Sequence, residues 1–274
     1  MDFFVVIPAF NAADKIERTL RSLIRQTSVL DGQDSFRCLV CDGASTDGTP
    51  EAVAQIGDER ITVQSEPDSG MYDALAKGLR QAEGDVTCYL PAGETLNPAA
   101  FSVLSEVFGR YAQIGWLTGR SVTCNERKQV TDSFLPHPYR RNFIDCGMYG
   151  TRLPCIQQES TFWRTELNRE FDLDALRACT LAGDYFLWRS LARTQDLYVV
   201  NTDLGAFTIE TGQLSQQQPG AYRREMRQLR RPPRLSERAA ALLLRLRTKH
   251  ARPRKNAPRQ VSYDHASKIW RLSR

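Results

Sequence analysis

Between residues 3 and 117, short apolar runs alternate with helix-like stripes, and no other feature of the chain limits its fold so tightly. Phe3–Ile7 is continuously apolar and stops at Pro8, as expected for a strand covered on both faces. Ile16, Leu20, Leu23 and Ile24 then recur at the spacing of a core-facing helix, with Asn11 near its start able to cap it. The strand pattern returns at Phe36–Cys41, Ile61–Gln64, Val86–Leu90 and Ile114–Leu117. The helical pattern returns at Thr46–Ile56, in the stripe Met71, Leu75, Leu79 and Ala82, and at Pro98–Phe108. Such alternation through short loops predicts an α/β fold, a Rossmann-like, doubly wound and mostly parallel sheet. Ligands of such sheets sit at the carboxyl ends of the strands.

Further along, 119–156 has no clear period and reads as loop-rich. Glu159–Trp163 and Leu197–Val200 read as strands and Thr180–Ala192 as a helix. Ala221–Arg230 and Leu235–Lys249 are arginine-rich helix candidates, followed by the proline-broken basic stretch Arg252–Arg259. Charge divides at the same place. Residues 1–221 hold 20 Lys/Arg against 29 Asp/Glu, whereas 222–274 hold 17 against 3. The expected organisation is an acidic body over 1–221 and a basic helical extension over 222–274. An acidic body argues against nucleic acid as the main substrate. The longest apolar run, Ala239–Leu244, is far below the roughly 20 residues needed to cross a bilayer. The opening Met1-Asp2-Phe3 does not resemble an export signal, so a cytoplasmic location is expected. The seven cysteines are then expected as free thiols. Cys38 and Cys41 form a CxxC, but three residues apart on a strand they face opposite ways, which argues against a zinc or redox pair.

Neither G-x-G-x-x-G nor G-x-x-x-x-G-K-[ST] occurs after the first strand. Pro8-Ala9-Phe10-Asn11 follows it instead, and the second strand ends in Cys41-Asp42-Gly43-Ala44-Ser45-Thr46-Asp47-Gly48-Thr49. Asp42 is placed either to accept hydrogen bonds from a ribose or base, or to close its own turn; Asp47 suits the second role. Then comes Ser65-Glu66-Pro67-Asp68-Ser69-Gly70-Met71-Tyr72-Asp73-Ala74-Leu75-Ala76-Lys77-Gly78. These three segments, in this order and spacing, resemble the family 2 glycosyltransferases of the GT-A fold. The last is similar to a branch that contains many bacterial surface-polysaccharide transferases. The resemblance runs on through Gly84-Asp85, QESTFW and LAGDYFLW, covering about residues 3–210.

The resemblance implies roles for particular residues. Pro8, Ala9 and Asn11 would line a base pocket, Asp42 would bond the base or ribose, and Asp68 would sit near the donor with Gly70 opening a helix beside it. Asp73 and Lys77 lie i, i+4 on that helix, either in the donor site or as a surface ion pair. The family holds Mg²⁺ or Mn²⁺ against the donor's diphosphate with a carboxylate motif after the fourth strand. Here that motif reads Pro91-Ala92-Gly93-Glu94. Either Glu94 carries the divalent metal with waters and diphosphate, or the ion is weakly held or absent. Asp184 matches the family's catalytic base, which takes the acceptor hydroxyl's proton; an Asp in a first helical turn is also favoured by the helix dipole. Gln158, Glu159 and Ser160 stand where the family more often has HQ-x-x-F, which leaves acceptor contacts open. Gly205-Ala206-Phe207 and Gly212-Gln213-Leu214-Ser215 resemble a donor-closing loop.

The expected activity is that of an inverting glycosyltransferase moving a sugar from a nucleotide-diphosphate sugar to a hydroxyl acceptor. The acceptor class implied is a lipid-linked or growing glycan in bacterial surface-polysaccharide synthesis. The competing expectation, prompted by the altered metal motif, is a nucleotide-sugar-binding module without catalysis. The basic extension is expected to hold the protein peripherally on an anionic membrane surface, and to be removable after Ala221 without loss of donor binding.

Overall fold

The computed structural model describes residues 1–210, 220–250 and 257–273, apart from the side chains of 247–250. Its strands are β1 (Asp2–Ala9), β2 (Ser35–Asp42), β3 (Ile61–Ser65), β4 (Val86–Tyr89), β5 (Thr95–Leu96), β6 (Trp116–Thr118) and β7 (Ser121–Cys124). They continue with β8 (Val130–Phe134), β9 (Thr161–Arg164), β10 (Leu197–Val200), β11 (Gly205–Thr208), β12 (Gln260–Asp264) and β13 (Ile269–Leu272). The helices are α1 (Ile16–Ile24), α2 (Thr27–Leu30), α3 (Thr49–Ala54), α4 (Met71–Leu79), α5 (Ala100–Arg110), α6 (Arg141–Asp145), α7 (Leu173–Arg177), α8 (Gly183–Leu191), α9 (Ala221–Leu229) and α10 (Leu235–His250).

The main sheet has the order β13-β12-β10-β6-β9-β4-β1-β2-β3. It is parallel except that β9 runs antiparallel to β4 and β6, and β13 antiparallel to β12. β1 is buried along nearly its whole length because helices cover both faces. Val5, Ile7, Cys38 and Val40 pack under α1 and α5, while Val6, Leu39 and Cys41 pack under α4 and α8. Cys38 and Cys41 therefore lie on opposite faces, and all seven cysteines are free.

The segment 119–156 is more ordered than its composition suggests. β7 and β8 form an antiparallel hairpin in a second sheet of order β5-β11-β7-β8, and α6 follows. β8 leaves Val130 and Phe134 exposed and is otherwise polar, so it has no apolar alternation to reveal it.

The expectation of a purely helical extension is corrected. α9 and α10 are helices, but β12 then pairs parallel with β10, and β13 closes against β12. Val261 and Trp270 join the core of the body, and Met226 of α9 is buried against Ala182 and Tyr185. Burial of these apolar side chains ties the extension to the body. Among the described residues no helix is long and apolar enough to cross a membrane.

Candidate active site

The carboxyl ends of β4, β1 and β2 lie side by side and carry most of the residues singled out above. Pro8 and Ala9 end β1, in register with Cys41 and Asp42 of β2. Asn11 adopts a left-handed conformation, φ 45°, and bridges the two loops. Its amide N–H donates to Ser45 Oγ at 2.8 Å, and its Oδ1 accepts from Thr46 N at 3.1 Å. Asp47 accepts from Thr49 N at 3.0 Å and Ala13 N at 2.9 Å, the turn-closing role its position suggested.

Asp42 is buried, and both its oxygens serve its own surroundings. Oδ2 accepts from Ser45 N at 3.0 Å and Ser65 Oγ at 2.6 Å, and Oδ1 accepts from Ser45 Oγ. The turn-closing alternative thus describes what this carboxylate does in the structure, although it also lines a small cleft with Glu66, Asp68 and Lys77. Asp68 accepts from Gly70 N at 2.8 Å, and burial raises its carboxyl above the usual range. Gly70, φ 129°, precedes α4. Lys77 does not pair with Asp73. Its Nζ donates to the Pro67 carbonyl at 2.9 Å and lies 3.0 Å from Glu66. Asp73 instead accepts from Arg177 Nε at 2.6 Å and Ser69 N at 3.0 Å. Burial raises the Asp73 carboxyl, but these donors outweigh it and hold it below the ordinary value.

The turn after β4 departs from a metal site. Gly93 has φ 104°, and a Cβ there would lie 3.0 Å from Arg18 Nη2 and 3.1 Å from Lys15 Cδ. Both oxygens of Glu94 face Thr208, at 3.1 and 3.0 Å from its N–H, and Oε2 accepts its hydroxyl at 2.7 Å. Burial raises the Glu94 carboxyl despite these donors and Lys128. Among the described residues no group of three or more His, Cys, Asp or Glu is placed to hold a metal ion. A hard divalent cation seeks several carboxylate or carbonyl oxygens, so this donor set does not suit one.

Asp184 stands in the first turn of α8, against α4. Gly183 before it has to be small, because a Cβ there would meet the Tyr72 ring at 2.3 Å. Tyr72 Oη in turn donates to the Leu181 carbonyl at 3.1 Å. Oδ1 of Asp184 is buried without a hydrogen-bond partner, while Oδ2 accepts from Tyr222 Oη at 3.0 Å. Burial pushes this carboxyl up to about 6, opposed by the backbone N–H of Tyr185 and by Tyr222, with the neighbouring Glu225 adding to the rise. That value suits a base working near neutral pH.

Tyr222 and Glu225 belong to α9, beyond the expected boundary, and sequence reasoning missed both. Glu225 accepts from the N–H groups of Thr180 at 2.7 Å, Leu181 at 2.7 Å and Ala182 at 3.2 Å, and so ties α9 to the turn that leads into α8. One signal was available: Glu225 is one of only 3 acids among residues 222–274. Glu159, which the sequence marks only for acceptor contacts, is fully enclosed, and burial, reinforced by Glu94, pushes its carboxyl up to about 8. Gly205–Phe207 lies in β11. Gly212–Ser215 of the suggested donor-closing loop and most of Arg252–Arg259 fall outside the described residues.

Comparison with known proteins gives concordant matches. Residues 4–160 match the model described as glycosyl transferase family 2. A PGL/p-HBAD biosynthesis glycosyltransferase of Mycobacterium bovis is 33% identical over 101 residues, which cover 35% of this chain and 37% of that protein. The structure of S. aureus TarS 1-349 in complex with UDP-GlcNAc superposes with a TM-score of 0.61 at 17% identity, covering 84% of this chain and 65% of that one. A mannosyltransferase from Pyrobaculum calidifontis, solved with GDP-Man and Mn²⁺, gives 0.51 at 18% identity over 78% of this chain and 59% of that one. The chain thus covers less than two thirds of each of these proteins, and the two structural likenesses bear on the fold, which is GT-A.

Proposed function

Because the chain belongs to glycosyltransferase family 2, we propose that it transfers a hexosyl unit, with inversion, from a nucleotide-diphosphate sugar to an acceptor hydroxyl. The acceptor oxygen attacks the anomeric carbon as the bond to the diphosphate breaks. The hydroxyl proton passes to Asp184, and the bonding electron pair leaves on the diphosphate oxygen. One observation carries this reading. The Asp184 carboxylate is enclosed, raised to about 6, held through one oxygen by Tyr222, and left with its other oxygen unpartnered. An unpartnered buried oxygen is costly unless something arrives to use it, and an acceptor hydroxyl fits that need. The cleft lined by Asp42, Asp68 and Lys77, at the carboxyl end of a doubly wound sheet, is the corresponding place for the donor's nucleoside.

Asp184→Asn tests the reading. The variant is expected to bind nucleoside diphosphates as the parent does and to lose transfer by at least ~10²-fold, the usual contribution of a positioned base. Parental turnover in the variant would sink the assignment. The alternative of a nucleotide-sugar-binding module without catalysis draws on the altered turn at Gly93 and Glu94. It predicts nucleotide binding with no Asp184-dependent turnover on any acceptor.

The acceptor is proposed to be a lipid-linked or growing glycan met at an anionic, cytoplasm-facing membrane surface. Support comes from α10, where Leu242, Leu243 and Leu246 are about half exposed and Leu235 is 82% exposed, with Arg234 and Arg238 beside them. Apolar side chains flanked by cations suit the headgroup boundary of an anionic leaflet. The extension is not a detachable anchor, however, because Tyr222 and Glu225 reach the Asp184 site. Removal after Ala221 would disturb that site along with any membrane contact.

A further inference from the structure

The turn after β4 carries a charge pattern opposite to the one a divalent cation requires. Gly93 offers only its carbonyl, and Arg18 Nε at 2.9 Å and Lys128 Nζ at 2.7 Å already donate to it. The direction in which a side chain at 93 would leave the backbone is filled by Arg18 and the stem of Lys15. Glu94 is turned onto Thr208, with Lys128 Nζ 3.8 Å away. Arg18 also pairs with Glu210. Three cationic side chains thus surround the turn against two carboxylates, and Arg18 and Lys128 keep 34% and 27% of their surface open to solvent. The turn adjoins the end of β1, where Ala92 N donates to the Pro8 carbonyl at 3.4 Å. The charge therefore lies beside the proposed base pocket.

We propose that Lys128 and Arg18 neutralise the donor's diphosphate in this chain, in the place where the family resemblance implies a divalent ion. This rests on the donor reading above. The ammonium of Lys128, on a flexible stem with three donors, can exchange the Gly93 carbonyl and Thr208 for phosphate oxygens. The guanidinium of Arg18 presents a planar fork that matches a phosphate edge. Burial lowers the Lys128 ammonium's pKa, so an arriving anion would relieve part of that cost. Fixed cations aimed at the leaving diphosphate stabilise its developing charge as a metal would.

The test is calorimetric binding of UDP, GDP, CDP, ADP and dTDP, and of the matching nucleosides, to the full chain in excess EDTA and in MnCl₂. Whichever diphosphate binds is expected to do so within about 2-fold in the two buffers. Lys128→Met and Arg18→Gln should each weaken it about 10- to 100-fold, the cost of losing a hydrogen bond to a charged group. Nucleoside affinity and the far-ultraviolet circular dichroism should stay unchanged. Diphosphate binding at least 10-fold weaker in EDTA overturns the inference and leaves the donor reading standing. Binding that ignores both substitutions also overturns it. If no nucleoside diphosphate binds the folded protein in either buffer, the donor reading itself falls, and the inference with it.

Discussion

Replacing Tyr222 with Phe removes one hydroxyl from a contact between two elements distant in sequence and keeps the ring that packs there. In the parent that hydroxyl donates to Asp184 Oδ2 at 3.0 Å, while Oδ1 has no partner. A hydrogen bond to a charged group contributes about 1.5–3 kcal/mol. One pKa unit corresponds to about 1.36 kcal/mol, so loss of the bond should raise Asp184 by roughly one to two units. The sign follows from the base's role. Transfer needs the carboxylate, so activity is present above the apparent pKa and lost as pH falls through it. The parent's acidic limb should lie near 6, and the variant's at about 7 to 8. At pH 7 the ionised fraction then falls from about nine tenths to between about a half and a tenth, a loss of roughly 2- to 10-fold. At pH 9 the two enzymes should be nearly equal. The assay is nucleoside diphosphate release as kcat/KM from pH 5 to 9.5, which reports the free enzyme's ionisation. An unmoved limb, or an equal loss at every pH, would refute the argument and leave Tyr222 a packing residue.

Glu225→Ala leaves three N–H groups of the turn before α8 without their carboxylate. It should cost about 1.5–3 kcal/mol, the contribution of a hydrogen bond to a charged group, read as a lower midpoint in urea unfolding. Gly93→Asp restores a family carboxylate but forces a side chain onto φ 104° and against Arg18. Destabilisation of about 1–3 kcal/mol is expected, with no gain in Mn²⁺-dependent nucleotide binding, and calorimetry with and without Mn²⁺ checks this. The double change Leu242→Ser with Leu246→Ser should abolish sedimentation with anionic liposomes at low salt and leave nucleotide affinity unaltered. Liposome binding as strong as the parent's would mean that α10 faces something other than a membrane.

Local periodicity was enough for the main-sheet strands of the body, though not for β12 and β13 at its edge. The run Phe3–Ile7, the stripe Met71, Leu75 and Leu79, and the opposite facing of Cys38 and Cys41 all reappear in the structure, because a period of 2 or 3.6 reflects which sides of one segment are buried. The order of the motifs likewise sufficed for the family. What could not be read was which neighbour satisfies each polar group. Asp42 had two possible uses, and only the placement of Ser45 and Ser65 beside it shows that its oxygens bond its own turn while it lines the cleft. Lys77 could have paired one turn back with Asp73, yet it reaches Glu66 while Asp73 takes Arg177 from α7. Glu94 could have faced an ion until β11 brought Thr208 against it. Tyr222 and Glu225 lay in a stretch marked mainly by arginines. Their partners are about forty residues away, and nothing in local composition records a contact made when α9 packs on α8. The sequence by itself determined the main-sheet strands and the longer helices of the body, and with them the family. The tertiary structure alone decided how the carboxylates and cations in the loops between them are paired, because pairing depends on distances between segments that become neighbours only once the sheet has formed.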